Sequence, residues 1–351
     1  MKLKNLLLAC ILVTPLFSQE TPFAIHIERV KKSNTLEVKK PQEQEKLKIA
    51  IMIPSQVIGR YANSTSNAVF AYMLTKSNSF EIKTFDTQMQ DKESLSKALQ
   101  EIEKEGFAYA IAVLSKDGVD KLINLNPQIN IFIPTINKSE VSSPSSHLYF
   151  GGIDYKAQVD TLLQNASTPL VIFKDTSPIT SNISDYAQGK FHGKSYTFTM
   201  DKSTNLKKQL KNNRFGHGSF LTNTPVIKTG LVISQMTLYK VNEKNILSTQ
   251  INYDPLLLSM TQYNDRKNMI IANSISKDNT TVTDANLLLN NDIIYDWINY
   301  ATTVGVDYFF SRITHEAREY PLAISENQII YPISLVQPSF SSFVNYKSKE
   351  K

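Results

Sequence analysis

The stretch Leu47-Lys-Ile-Ala-Ile-Met-Ile53, closed by Pro54, decides the fold. A half-buried strand alternates apolar and polar residues. This one is apolar throughout except for Lys48, so it reads as a strand covered on both faces, the signature of a parallel sheet between helix layers. The segments after it keep that rhythm. Val57 to Leu74 reads as a helix, Phe80–Phe85 as a strand, and Lys92–Glu105 as a helix with Leu95, Leu99 and Ile102 at helical spacing. Then come a strand at Tyr109–Leu114, a short helix at Asp117–Leu125, and a strand at Ile129–Ile133 ended by Pro134.

A Ser-rich polar stretch, Asn137–Ser146, reads as a crossover, and the alternation then starts again. Leu148–Phe150 is expected to open a second lobe, ahead of Gly151-Gly152 and a helix over Asp154–Leu163. Strands are expected at Leu170–Phe173, Ser195–Thr199, Ser219–Thr222 and Ile246–Ile251. Helices are expected at Pro178–Ala187, Asn205–Asn212 and Pro225–Leu238. Later elements are a helix at Asp254–Tyr263, a strand at Asn268–Ser274, a helix at Asn291–Thr303 and a hairpin over Ile324–Ile333. The expected organisation is an α/β protein of two lobes, each an open parallel sheet flanked by helices. Residues 47–145 with about 252–345 form the first lobe, and 146–251 the second. A chain of 351 residues suits that size.

The other end of the chain points to a compartment. Lys2 and Lys4 precede an apolar run from Leu6 to Phe17, and Ser18 is a small residue suited to cleavage. This is the order of a secretory signal peptide over 1–18, and the run is too short to span a bilayer. Residues 19–46 then read as a flexible lead, with one strand near Phe23–Ile27. Leu7-Leu8-Ala9-Cys10 has lipobox character, but the apolar run continues past Cys10, so lipid anchoring there is not expected. The expected location is the periplasm. The single cysteine excludes an internal disulfide and a cysteine-built zinc site. Removing Lys2 and Lys4 leaves 36 basic residues against 32 acidic ones, a net charge of +4. No dense basic run with interleaved aromatics is present, so nucleic acid is not an expected partner.

Several segments resemble the type I periplasmic binding proteins. Lys48-Ile-Ala-Ile-Met-Ile-Pro54 followed by Ile58-Gly-Arg60 is similar to that family's opening strand and loop. Leu148-Tyr-Phe-Gly151 and Thr168-Pro-Leu-Val-Ile-Phe-Lys174 are similar to its second-lobe strands. Within the superfamily, the LpoA-type activators of penicillin-binding proteins offer the nearest likeness. Thr224-Pro-Val-Ile-Lys, Leu247-Ser-Thr249 and Thr303-Val-Gly-Val-Asp307 carry it. The resemblance implies a non-enzymatic binding protein that captures a small polar or anionic ligand between its lobes, for transport or sensing. Its protein partner would be an inner-membrane transporter. The second implied role is an envelope interaction protein, an LpoA-like regulator of a cell-wall synthase. The family's glycine-rich opening loop is here Pro54-Ser-Gln-Val-Ile-Gly59, with one glycine.

The residues offer no catalytic constellation. No Gly-x-Ser-x-Gly turn, phosphate loop or dinucleotide fingerprint occurs. His315-Glu316-Ala-Arg-Glu319 lacks the second histidine of a zinc helix and reads as a charged helix face. No cofactor or metal is expected.

In open parallel sheets ligands sit beyond the carboxyl ends of the strands. From the first lobe that nominates Ser55, Gln56, Ser115 and Thr135. From the second it nominates Asp154 and Tyr155, Asp175 and Thr176, Asn223 and Thr224, and Tyr253 and Asp254. Hydroxyl and amide groups would hydrogen-bond the ligand, a carboxylate would meet a cation, and tyrosine would stack. The competing role for each Ser, Thr, Asp or Asn is capping of the adjoining helix.

Overall fold

A computed structural model describes residues 46–347 except 60, 202, 203, 214 and 278. The expected signal peptide, the strand expected at Phe23–Ile27, and Cys10 lie outside the described residues.

The chain runs β1 (Leu47–Ile53), α1 (Ser55–Ile58), α2 (Tyr61–Leu74), β2 (Phe80–Asp86), α3 (Lys92–Lys104), β3 (Tyr109–Ala112), α4 (Lys116–Leu125), β4 (Asn130–Ile133) and β5 (Leu148–Phe150). It continues through α5 (Tyr155–Leu163), β6 (Leu170–Lys174), α6 (Pro178–Lys190), β7 (Ser195–Thr199), α7 (Leu206–Leu210), β8 (Ser219–Asn223) and α8 (Val226–Leu238). Next come β9 (Asn245–Ser248), α9 (Pro255–Met260), α10 (Tyr263–Arg266) and β10 (Met269–Asn273). The last elements are α11 (Thr280–Leu288), α12 (Trp297–Thr314), β11 (Ala323–Ser325), β12 (Gln328–Ile330), β13 (Ser334–Pro338) and β14 (Phe343–Asn345).

Two seven-stranded sheets result, in the orders β11-β12-β5-β4-β3-β1-β2 and β14-β13-β10-β9-β8-β6-β7. The inner strands are parallel, as in Ile49 opposite Ile82 and Ile172 opposite Leu221. Among the described residues only the pairs β11–β12, β10–β13 and β13–β14 are antiparallel. The two-lobed α/β architecture expected from the apolar runs is therefore present.

The period-two rule explains the core. Ile49, Ile51 and Ile111 face α2 and α12, while Ala50, Met52 and Ala112 face α3 and α4. In the second sheet, Val171, Phe173 and Phe220 share a core with Val232, Ile233 and Met236 of α8. Leu170, Ile172 and Leu221 pack with Val159 of α5 and Ile183 of α6. Each central strand is thus apolar on both faces because both faces are covered.

The lobe boundaries differ from those expected. β10 pairs with β9, and β13 pairs with β10, so 269–273 and 334–345 belong to the second sheet, not the first. β5 pairs with β4 and closes the first lobe instead of opening the second. The described chain crosses between lobes three times: at 151–154, at 274–279 and at 331–333. Apolar periodicity identifies a strand but says nothing about which sheet it joins.

Two further expectations are corrected. The helix expected at Asn291–Thr303 starts at Trp297, capped by Asp296, and runs to Thr314. Inside it, at Gly305, the Phe132 ring occupies the space a Cβ would need. His315 is not on a helix face; it takes a left-handed conformation as the C-cap of α12.

Candidate functional site

The carboxyl ends of β1 to β4 form one rim, and neighbouring loops are bonded to each other along it. Ser55 donates from its backbone N–H (3.2 Å) and its hydroxyl (2.8 Å) to the carboxylate of Asp86, the last residue of β2. The Gln56 N–H donates to the Gln88 carbonyl at 3.0 Å. Ser115 caps α4 through Gly118 N–H, and its own N–H donates to Gln90 Oε1 at 3.1 Å. Gln90 Nε2 donates in return to Ser115 Oγ. Thr135 Oγ1 donates to the Leu114 carbonyl at 2.6 Å. At the first crossing, Gly152 lies against the Ile136–Asn137 backbone, where a Cβ would overlap it. Asn137 Nδ2 donates to the Gly152 carbonyl at 3.2 Å.

The second rim is bonded in the same way. Asp175, buried at 8% exposure, accepts from Thr180 Oγ1 (2.6 Å), Ser177 Oγ (2.8 Å) and Ser177 N–H (3.0 Å). Lys228 pairs with its other oxygen at 3.5 Å and donates to the Met200 carbonyl at 3.2 Å. Burial alone would raise the Asp175 pKa. The bonds from Thr180 and Ser177 and the Lys228 charge outweigh it, so the carboxyl titrates below its ordinary range. Asn223 is fully buried and donates to Ser184 Oγ at 3.1 Å. Thr224 is also buried and shares a 2.8 Å hydroxyl contact with Thr229. Asp154 and Asp254 are N-caps, accepting from Ala157 N–H (2.9 Å) and Leu256 N–H (2.8 Å).

Tyr155 starts α5 just beyond the first crossing. Its phenol pKa is raised, first by burial and then by the proximity of Glu140 and Tyr61, both from the first lobe. Tyr155 therefore sits where the lobes meet. Tyr253 is 2% exposed and belongs to an aromatic seam. Its ring centroid is 5.1 Å from that of Tyr295, which precedes α12, and 4.8 Å from that of Phe343 on β14. Lys277, on the second crossing, stands 5.4 Å from the Tyr253 ring and 4.9 Å from Tyr295.

The nominated residues are thus gathered on two rims, but capping and loop bonding occupy most of them. Gln56 and Thr176 are exposed, and their side chains make no hydrogen bond among the described residues. Beside them stand exposed apolar side chains: Val57 and Met89 on the first rim, at 42% and 47%, and Ile179 on the second, at 46%.

Sequence reading missed a buried polar belt beneath the second rim. Gln158 Oε1 accepts from Gln250 N–H (2.9 Å), and Gln158 Nε2 donates to Ser274 Oγ (2.9 Å). Gln250 Nε2 donates to Asn273 Oδ1 (3.1 Å), while Ser274 N–H donates to Gln250 Oε1 (2.7 Å). Asn252 Nδ2 reaches the Thr222 and Thr224 carbonyls, both at 3.2 Å. These residues lie too far apart in sequence to form a motif. The one available signal was the run of amides and hydroxyls directly after apolar strands.

Among the described residues no three His, Cys, Asp or Glu side chains gather as metal ligands, and no helix is long and apolar enough to cross a membrane. A shallow hollow of about 350 Å³, lined by Asp160, Leu163, Lys190 and His192 among others, lies between the C-terminal ends of α5 and α6. It is at the edge of the second lobe away from the rims.

The architecture is that of the two-lobed type I periplasmic binding proteins, and solved structures share it. The chain is similar to the substrate-binding protein LivJ of a branched-chain amino acid transporter from Streptococcus pneumoniae, solved with isoleucine. The identity is 9%, the TM-score 0.62, and the match covers 86% of this chain and 100% of that one. A solute-binding protein of an ABC transporter from Rhodopseudomonas palustris, solved with 3,4-dihydroxybenzoic acid, matches at 12% identity and TM-score 0.64, covering 86% and 95%. The C-domain of LpoA from Haemophilus influenzae, a regulator of PBP1A, matches at 8% and TM-score 0.57, covering 86% and 100%. No family model and no curated protein sequence matches the chain. At these identities the likeness establishes the fold, a binding-protein fold, and leaves the role to the residues.

Proposed function

We propose that the chain is a non-catalytic binding protein of the bacterial envelope, and that its rims engage a segment of another protein. The observation that carries this reading is the state of the cleft side chains. Ser55, Ser115, Thr135, Asp175 and Thr224 direct their polar atoms into their own lobes. A small polar solute needs convergent groups with hydrogen-bonding capacity left over. These rims instead present bonded, pre-ordered loops carrying Val57, Met89 and Ile179 beside Gln56 and Thr176. Such a surface suits a peptide with apolar side chains and a partly free backbone. The likeness to the LpoA C-domain supports a cell-wall synthase as the kind of partner. The signal-like residues 1–18 support export to the periplasm.

The second reading is capture of a small ligand between the lobes, serving an inner-membrane transporter. The likeness to two solute-binding proteins and the position of Tyr155 favour it.

Photo-crosslinking from positions 56 and 176 in intact cells tests the proposal. A reproducible crosslink to one envelope protein, lost in Val57→Asp with Met89→Asp, is expected. A thermal shift with an amino acid, sugar or aromatic acid, combined with no crosslink, would replace it with the second reading.

A further inference from the structure

Helix α8 is apolar on two opposite sides. Val232, Ile233 and Met236 enter the core of the second lobe. Ile227, Leu231 and Leu238 are 64%, 50% and 62% exposed. At 100° per residue these three, with Ser234 between them, fall within about 60° of arc, opposite the buried side. A second apolar face on a helix calls for a second cover. Its one ionisable residue, Lys228, turns away to Asp175 and the Met200 carbonyl.

The apolar face continues beyond α8. Met260 of α9 lies against Gly230, and Leu256 stands one turn before it; their exposures are 38% and 43%. Ser234 donates to Asp265 of α10 at 2.9 Å, which brings α10 alongside. Tyr263 of α10 stacks on Phe340 at 4.2 Å, and Phe340 is 77% exposed. Arg266 holds the Phe340 turn by donating to the Ser339 and Phe340 carbonyls. Weighted by exposure, Ile227, Leu231, Leu238, Leu256 and Met260 offer on the order of 500 Å², the larger part of the roughly 800 Å² that one partner contributes to a standard interface.

We propose that this face pairs with the same face of a second copy of the chain. The spacing of the α8 row argues for it. Positions 227, 231, 234 and 238 are separated by 4, 3 and 4 residues, which reads the same in both directions. An antiparallel α8–α8 contact about a two-fold axis sets Ile227 against Leu238 of the other copy, and Leu231 against the small Ser234. A two-fold interface must be self-complementary, and the row is. Neutrality argues for it too. The row brings no ionisable side chain into the contact, so no charge has to be desolvated there.

Sedimentation of the full chain tests the inference. The unsubstituted protein is expected to dimerise reversibly. Ile227→Lys and Leu238→Glu, each alone, are expected to weaken dimerisation about 100-fold. Both positions are exposed, so at a concentration low enough for the parent to be monomeric too, the circular dichroism melt of each variant should match the parent. The double variant Ile227→Lys with Leu238→Glu is expected to dimerise again, because each Lys then meets a Glu of the other copy. A parent that stays monomeric overturns the inference. So does a double variant no better than either single one. A monomer that crosslinks through position 231 to a different protein overturns it as well and makes that protein the occupant.

Discussion

Gln158 Nε2 donates to Ser274 Oγ across 2.9 Å, so the first turns of α5, just after the first crossing, are bonded to the start of the second. The same side chain accepts from Gln250 N–H, and all three residues are buried. Replacing Gln158 with Leu strands that N–H and removes a donor to Ser274. Each buried polar group left without a partner costs about 1–3 kcal/mol. Gln158→Leu should therefore lower unfolding stability by about 2–4 kcal/mol, with an unchanged slope in urea titrations. A loss within error would mean that water replaces the amide.

Asp307 anchors the first lobe in a comparable way. It is fully buried on α12 and accepts from Tyr72 Oη (2.9 Å), Glu319 N–H (2.7 Å) and Tyr320 N–H (3.1 Å), with Arg318 at 3.4 Å. Asp307→Ala leaves several donors and a guanidinium without their acceptor. A loss of about 3–5 kcal/mol is expected in chemical denaturation. Asp307→Asn should lose less. Equal losses for the two would show that packing, not hydrogen bonding, sets the value.

Tyr253 is a core residue by its surroundings, not a free stacking surface. Tyr253→Ala should cost about 3–5 kcal/mol through the cavity left beside Tyr295 and Phe343. Thermal melting monitors this directly. Tyr253→Phe, which keeps the ring, should melt within a few degrees of the parent.

Acid should loosen the second rim. The folded pKa of Asp175 lies below its unfolded value, so its contribution to stability is complete above the unfolded carboxyl range, near about 4. That contribution is lost as pH falls through the folded value. Asp175→Asn should flatten the fall in melting temperature below about pH 4, while above about pH 5 the variant should be less stable than the parent. Unchanged acid limbs would exclude Asp175 as a contributor.

The parallel strands were legible because burial on both faces leaves long apolar runs, as in 49–53 and 170–173. The last two strands of the second sheet, β13 and β14, were not. β13, Ser-Leu-Val-Gln-Pro, has only two adjacent apolar residues before Gln337 and ends in proline, and β14 is three residues long. α11 was missed because Thr-Thr-Val-Thr-Asp-Ala-Asn-Leu-Leu has little apolar periodicity and puts Leu287 and Leu288 on the surface. The rule that ligands lie beyond the strand ends found the right loops. It did not distinguish a free polar group from one already bonded, because Thr224 and Thr176 look alike in sequence and differ only in what surrounds them.

The three crossings set the order in which the chain can mature. The first sheet needs β11 and β12 at 323–330, and the second needs β13 and β14 at 334–345. A chain emerging from the ribosome therefore holds two unfinished halves until its last strands are made. A stop codon anywhere between β10 and β13 would leave the long face of β10 unpaired beside β9, a ready template for another truncated copy. Premature termination late in the gene should consequently be more damaging than its small share of the sequence suggests, yielding insoluble product instead of a smaller folded one.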